Sequence, residues 1–267
     1  MKVLILGLGQ YPQGSGVSAA LFFAKQGDDV IATDLKSARE LAGNVSRLKK
    51  YPNVRLHLGG HDARDVRWAD LIVRNPRVRV DAPEMVEARR LGKTVTSDVA
   101  LFLESCLALV IGVTGTRGKS TTSALVVEML KSSGKRVWLG GNMLVSPLTF
   151  LGRVKKNDLV VLELSSWQLE VLGDRGISPQ VAVWTNLMRD HLNTYAGMEE
   201  YAEAKAQIFR HQKPEDVVFL PADPTFDGFA ASAPGNVKRV MCHGKRKNME
   251  LIGEHNQRNA AMASAVA

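Results

Sequence analysis

The stretch Val113-Thr-Gly-Thr-Arg-Gly-Lys-Ser-Thr121 sets glycines, a lysine and hydroxyls between an apolar run at 107–113 and an amphipathic segment at 120–131. Strand, glycine-rich turn, Lys-Ser, helix is the architecture of a nucleotide-phosphate cradle. Backbone N–H groups bared by the glycines and by the helix N-terminus attract anionic oxygens. Gly115, Thr116 and Gly118 would present such amides, and Lys119 would reach the β- and γ-phosphates. Ser120 would bind Mg²⁺ and Thr121 would stand beside it. The general form G-x-x-x-x-G-K-S/T is missed by one position, because Val113 occupies the place of its first glycine.

Further side chains could serve the same chemistry. Glu163 ends the buried-type strand 159–163, and an acid at the carboxyl end of a strand beside a phosphate loop is placed to hold Mg²⁺. His191 closes the stretch 185–191 after another apolar strand, where a neutral imidazole could ligate a metal. Lys205 falls in the apolar stripe Tyr201, Ala204, Ile208, Phe209 of a helix at 199–211. An unpaired ammonium there costs free energy. Either it snorkels to solvent, or it stays neutral and reacts with CO₂ to form a carbamate, an anion able to bind a second Mg²⁺. Ser165 and Ser166 read as N-cap residues of a helix at 167–172. Asn256 and Asn259 can share a helix face and read an adenine edge, or Asn256 can be a plain N-cap.

A second glycine-rich turn lies near the start. Gly7 and Gly9 follow the first apolar run, Gly14 and Gly16 precede a helical segment, and Asp34 ends the next strand. The spacing departs from G-x-G-x-x-G because Gln10 to Gln13 lengthen the turn. Three readings stay open: a dinucleotide site with Asp34 on a ribose hydroxyl, a phosphate turn for another nucleotide, or a glycine turn that only lets helix pack on strand.

These turns need strands and helices to position them. Strands are expected at 3–6, 29–33, 54–58, 71–73 and 94–96, with helices at 16–26, 38–50 and 82–91. Such alternation implies a parallel, doubly wound sheet. After a crossing near 97–104, a second set of strands follows at 107–113, 136–139, 159–164, 181–185 and 217–220. Residues 223–250 carry no clear pattern. The 267 residues and 45% hydrophobic content suit a globular α/β protein of one large or two ordinary domains. No apolar run reaches the ~20 residues of a membrane span, and the N-terminus lacks a secretion-signal pattern. The two cysteines, Cys106 and Cys242, lack metal-site spacing. A net charge of +8 raises the question of nucleic acid. No basic run exceeds Lys245-Arg246-Lys247 and no aromatic-interleaved motif is present, so anionic small ligands explain the balance as well.

Taken together, Thr114-Gly-Thr-Arg-Gly-Lys-Ser-Thr121, Gly140-Gly-Asn142, Glu163-Leu-Ser-Ser166, Asn186 with Asp190-His191, Tyr201 with Lys205, and His255-Asn256 with Asn259 resemble the Mur ligase family, the ATP-dependent amide-forming enzymes of peptidoglycan synthesis. The resemblance implies a Rossmann-like N-terminal domain at 1–96 followed by a P-loop Mur-ligase central domain at 97–267. Among the branches, Leu4-Ile-Leu-Gly-Leu-Gly9 and Thr33-Asp34-Leu-Lys36 are most similar to the D-glutamate-adding one; the L-alanine-adding branch is the alternative, and a non-catalytic nucleotide-binding protein the second. A folylpolyglutamate-synthase-like ligase is disfavoured by the N-terminal glycine turn, and an NAD-dependent oxidoreductase leaves 114–121 unexplained.

By that resemblance, ATP and Mg²⁺ are the cofactors, and UDP-N-acetylmuramoyl-L-alanine and D-glutamate the substrates of a cytoplasmic, monomeric ligase serving cell wall biogenesis. Gly7, Gly9, Gly14, Gly16, Asp34 and Lys36 would hold UDP, with Asn142, Ser165 and His191 approaching the same substrate. Gly115, Thr116, Gly118, Lys119, Ser120 and Thr121 would hold the ATP phosphates, and Asn256 and Asn259 the adenine. Ser120, Glu163, His191 and carbamylated Lys205 would hold the metals; Lys119, Glu163, His191 and Lys205 form the catalytic set. The pattern is broken by Arg117 in place of a common Asn, by the insertion at 10–13, by Asn75-Pro-Arg77 in place of Ser-Pro-Gly, and by Asn193 where Asp is frequent. A third, C-terminal domain of the family has no counterpart in these residues, so a fragment that binds substrates and turns over poorly is expected.

Overall fold

The computed structural model describes residues 1–142, 145–190, 193–241 and 253–267. The chain divides into two compact units, one of residues 1–104 with 144–152, the other of residues 105–143 with 153–267.

The first unit alternates β1 (Lys2–Leu6), α1 (Ser15–Lys25), β2 (Asp29–Asp34), α2 (Ala42–Leu48), β3 (Val54–Leu58), α3 (Ala63–Trp68), β4 (Leu71–Arg74), α4 (Pro83–Arg90) and β5 (Thr94–Thr96), and leads into α5 (Asp98–Ser105). The strands form one parallel sheet in the order β3-β2-β1-β4-β5. β1 is central, so both its faces are covered and it reads as an unbroken apolar run. Leu4 and Leu6 pack with Ile31, Val66, Ile72 and Met85 into the core. This order puts the carboxyl end of β1, where the first glycine turn begins, beside the end of β2 and its Asp34.

The second unit contains β6 (Leu109–Thr114), α6 (Lys119–Ser132), β7 (Val137–Gly141), β8 (Leu159–Glu163), α7 (Ser166–Asp174), β9 (Val181–Trp184), α8 (Met198–Arg210), β10 (Val217–Pro221), α9 (Asp227–Ala231), β11 (Asn236–Val240) and α10 (Glu254–Val266). Its sheet is parallel, in the order β11-β10-β9-β6-β8-β7. Ile111, Val113, Val126, Val127, Val161 and Val183 form the core, and Met262 and Ala263 of α10 close over it. Register brings the strand ends together: Val113 pairs with Glu163, Thr114 with Trp184, and Gly141 with Glu163. The expected α/β class holds for both units.

Three local expectations change. The helix expected at 38–50 shrinks to Ala42–Leu48, because Glu40 accepts from both the backbone N–H and the hydroxyl of Ser37 at 2.8 Å and fixes a turn instead. α3 was not anticipated, although Asp62 caps it by accepting from Arg64 N at 2.8 Å. In the stretch without a pattern, β11 is an edge strand whose exposed polar residues hide the alternation that would mark it. Among the described residues no helix is long and apolar enough to cross a membrane.

Candidate functional site

The second unit assembles its phosphate loop at the carboxyl ends of β6, β8 and β9. Gly118 caps α6 in the left-handed region, at φ 77°, and a Cβ there would meet Asn259 Oδ1 at 2.2 Å. No side chain caps this end of α6, and its first turn carries no acid, so its N–H groups face the loop. Thr116 N donates to Asn186 O at 3.1 Å, Arg117 N donates to Asn186 Oδ1 at 2.9 Å, and Thr185 Oγ1 donates to Arg117 O at 2.8 Å. The 185–186 segment thus holds the far side of the loop rigid.

Ser120 Oγ donates to Glu163 Oε2 at 2.6 Å, and Asn142 Nδ2 donates to Glu163 Oε1 at 2.9 Å. Glu163 is 3% exposed, so these donors offset the cost of burying its carboxylate. Lys119 Nζ donates to the carbonyls of Gly115 at 3.0 Å and Thr116 at 3.1 Å, folding back on its own loop. Lys205 Nζ, 1% exposed, donates to the same Gly115 carbonyl at 3.0 Å and lies 4.5 Å from the Tyr201 ring centroid. The snorkelling alternative for Lys205 is therefore excluded. Burial, reinforced by the Lys119 charge, pulls the Lys205 ammonium down to about 7, against the pull of Asp190. Burial lowers Lys119 too, opposed chiefly by Glu163.

Asn256 and Asn259, on the first turns of α10, line a cavity of about 770 Å³ together with Gly118, Thr121 and Phe226. It opens beside the loop, where a nucleoside attached to bound phosphates would lie. Ser165 is the N-cap of α7: its Oγ accepts from Gln168 N at 3.3 Å, while Gln168 Oε1 accepts from Ser165 N at 3.0 Å. Its side chain is committed to that capping box. His191 lies outside the described residues. Among the described residues no group of three or more His, Cys, Asp and Glu side chains is gathered for a metal. The donor set that is described, a Ser hydroxyl on a carboxylate with a second buried cation close to the loop, still fits the Mg²⁺ and nucleotide phosphates that such a cradle takes.

The first unit builds its turn differently. Gly16 passes so close to the strand end that a Cβ would meet the Gly7 carbonyl at 2.1 Å, and this lets α1 begin against the sheet. Asp34 Oδ2 accepts from Gly9 N at 2.8 Å and Oδ1 from Lys36 N at 2.9 Å. The acid thus shapes the turn as well as facing it. Asn75 Nδ2 donates to Gly7 O at 3.0 Å, pinning the 75–77 segment to the same turn. Gly14 is the N-cap of α1, with no side-chain cap.

Sequence reasoning missed Asp98. It is 1% exposed and accepts from Ser15 Oγ at 2.6 Å, at the first turn of α1. Burial pushes its carboxyl above the usual range, opposed by the Ser146 and Ser15 hydroxyls. Ser97-Asp98 ahead of an apolar helical run was the available signal.

Comparisons with known proteins agree with this geometry. Residues 113–248 match the Mur ligase middle domain, and residues 1–97 match the Mur ligase MurD-like N-terminal domain. The chain belongs to the Mur ligase family. Among curated relatives, the UDP-N-acetylmuramoylalanine–D-glutamate ligase of Roseiflexus sp. (strain RS-1) is 40% identical over 83% of this chain and 47% of its own length. The protein of the same name from Clostridium botulinum (strain Loch Maree / Type A3) is 34% identical over 98% of this chain and 60% of its own. The chain thus spans about half the length of the curated relatives it matches. Two solved Mur ligase structures share the fold. The UDP-N-acetylmuramate:L-alanyl-gamma-D-glutamyl-meso-diaminopimelate ligase from Neisseria meningitides has a TM-score of 0.65 at 20% identity, covering 99% of this chain and 92% of that one. MurF ligase from Thermotoga maritima in complex with ADP has a TM-score of 0.56 at 17% identity, covering 99% and 62%.

Proposed function

We propose that this chain carries the sugar-nucleotide-binding and ATP-binding parts of a cytoplasmic ligase that adds D-glutamate to UDP-N-acetylmuramoyl-L-alanine, with residues 1–96 taking the UDP and residues 97–267 the ATP. The observation that carries the reading is the loop 114–121 with Lys119 and Lys205 on one carbonyl and Ser120 on Glu163. The D-glutamate branch is favoured by the MurD-like match at 1–97 and by the names of the relatives.

In the reaction, a carboxylate oxygen of the substrate attacks the γ-phosphorus of ATP, and the bond to the β–γ bridging oxygen breaks to release ADP. The D-glutamate amine then attacks the acyl carbon, phosphate departs, and the amine gives up a proton. Both anions must approach one another. Lys119, turning from its loop carbonyls to the γ-phosphate, offsets that repulsion, and the N–H groups of α6 add partial positive charge. Ser120 and Glu163 would hold Mg²⁺, which when bound supplies further charge neutralisation. Lys205, with its ammonium pulled down to about 7, has the neutral amine that can attack CO₂. In that step an N–C bond would form and a proton would leave, and the anionic carbamate, with His191, would hold a second Mg²⁺. Asn256 and Asn259 would read the adenine from α10. Asn142 and His191 would also approach the sugar nucleotide, whereas the Ser165 hydroxyl acts through the start of α7.

A thermal-shift titration with UDP-N-acetylmuramoyl-L-alanine, UDP-N-acetylmuramate, Mg-ATP and NAD tests the reading. A ligand of the folded state at 100 times its Kd adds about 2.7 kcal/mol. The expected outcome is a clear shift with the L-alanyl nucleotide and with Mg-ATP, a weaker one with UDP-N-acetylmuramate, and none with NAD. A stronger response to UDP-N-acetylmuramate than to its L-alanyl form would favour the L-alanine-adding branch. A shift with NAD alone would overturn the ligase reading.

A further inference from the structure

Residues 10–13, which lengthen the first glycine turn, meet the segment 75–77 in the folded first unit. Each residue at the front of the insertion holds a different basic side chain. Lys36 Nζ donates to Gln10 Oε1, Arg47 Nη1 donates to Pro12 O, and the Arg77 guanidinium lies 6.0 Å from the centroid of the Tyr11 ring. The insertion is itself fixed. Asn44 Nδ2 donates to Gly9 O at 2.7 Å, and Ser146 N donates to Gln13 O at 2.7 Å.

All three holding groups are neutral: an amide, a carbonyl and a ring face. They position cations without cancelling charge. Among the described residues no carboxylate forms an ion pair with Lys36, Arg47 or Arg77. Two acids near Lys36 balance part of its charge and leave that of Arg47 and Arg77. Asp34 accepts from Gly9 N and Lys36 N, and Glu40, which feels the Lys36 charge, accepts from the backbone and hydroxyl of Ser37. Positive charge held beside a glycine turn and the uncapped start of α1 is suited to an anion with several oxygens.

We infer that residues 10–13 are a scaffold holding Lys36, Arg47 and Arg77 as a cationic rim for the diphosphate of the sugar nucleotide. The inference rests on the sugar-nucleotide reading above and adds to it a named source of affinity. The rim acts on the phosphates and leaves the nucleoside alone, so its contribution falls with salt.

The experiment is calorimetric titration of UDP and of uridine into the chain and into Arg77→Ala, Arg47→Ala/Arg77→Ala and Gln10→Glu, at low and high salt. Mg-ATP binding by the second unit serves as the control for folding. Each cation removed is expected to weaken UDP binding about tenfold at low salt, as for a charge-assisted contact. Gln10→Glu, which removes no cation but neutralises Lys36, is expected to weaken it about threefold. Uridine binding should be the same in all four proteins. A chain that ignores UDP while binding Mg-ATP would overturn the sugar-nucleotide reading and the rim with it. A chain that binds UDP while the double variant binds it equally well would overturn the rim alone. Equal losses for UDP and uridine would also overturn it, because they would show a structural effect.

Discussion

In the first unit, the turn after the leading strand keeps its cations at the surface, held by uncharged acceptors. In the second, the turn after the leading strand draws its lysines inward, until Lys119 and Lys205 share the Gly115 carbonyl and both ammonium groups lose basicity to burial. Both turns lie at the start of a helix with no side-chain cap. What differs is the depth of the positive charge. A screened surface cation contributes affinity and little else. A desolvated one acts at low effective dielectric, where it can stabilise charge developing during a reaction. On the proposed reading, one sheet edge holds an anion and the other changes one.

The largest way to break this comparison is at Gly16. Ala there would press a Cβ against the Gly7 and Leu8 carbonyls, at 2.1 and 2.5 Å, and backbone cannot swing aside. Gly16→Ala is expected to cost more than about 4 kcal/mol and to remove UDP binding. Calorimetric unfolding should show the first unit melting separately while Mg-ATP still protects the second.

Next in size is Glu163→Gln, which keeps the shape but removes the charge that Ser120 and Asn142 address. Mg²⁺-dependent ATP affinity should fall about 10–100-fold, with UDP affinity unchanged. A matched loss of both would mean that the two turns are not independent.

The pH dependence sharpens the contrast of depth. Lys205 sits at about 7 in the folded chain against an ordinary lysine at 10.5. Between those values the unfolded chain binds a proton that the folded one lacks, so folding stability rises with pH across that window. Lys205→Met should flatten the rise between pH 7 and 9 in denaturant titrations. The surface cations Arg47 and Arg77, replaced by Ala, should leave its slope alone. In bicarbonate above pH 7, intact-mass measurement should find one added CO₂ in the wild-type chain and none in the Met variant.

The smallest effect concerns Arg117. Its contact with Asp190 is 3.7 Å and its side chain is 75% exposed. Arg117→Asn should move the melting temperature by less than about 2 °C.

The buried strands of both sheets and the phosphate loop were legible because buried parallel strands are unbroken apolar runs, and because the glycines at 115 and 118 occupy positions where a side chain would collide with Thr185 or Asn259. Lys205 showed itself as a charge in an apolar stripe. Its contact with the Gly115 carbonyl was not legible, since it joins residues far apart in sequence. Asp98 stayed hidden for the same reason: its Ser15 partner is distant, and a polar residue opening a helix is ordinary. Ser165 was read both as a cap and as a substrate contact, and its hydroxyl lies in the capping box. β11 escaped because an exposed edge carries no alternation.

The Gly115 carbonyl is one acceptor serving two ammonium groups, so the proposed nucleotide binding and CO₂ uptake would be thermodynamically linked. Lys119 depresses the basicity of Lys205 by repulsion. A phosphate that attracts Lys119 compensates its charge and leaves the carbonyl to Lys205, which then holds its proton more firmly. An anionic carbamate at Lys205, conversely, gives Lys119 a new partner in competition with phosphate. By reciprocity, whatever factor nucleotide imposes on CO₂ affinity, CO₂ imposes on nucleotide affinity. On the proposed reading, a single backbone oxygen would couple the two loadings, whichever comes first.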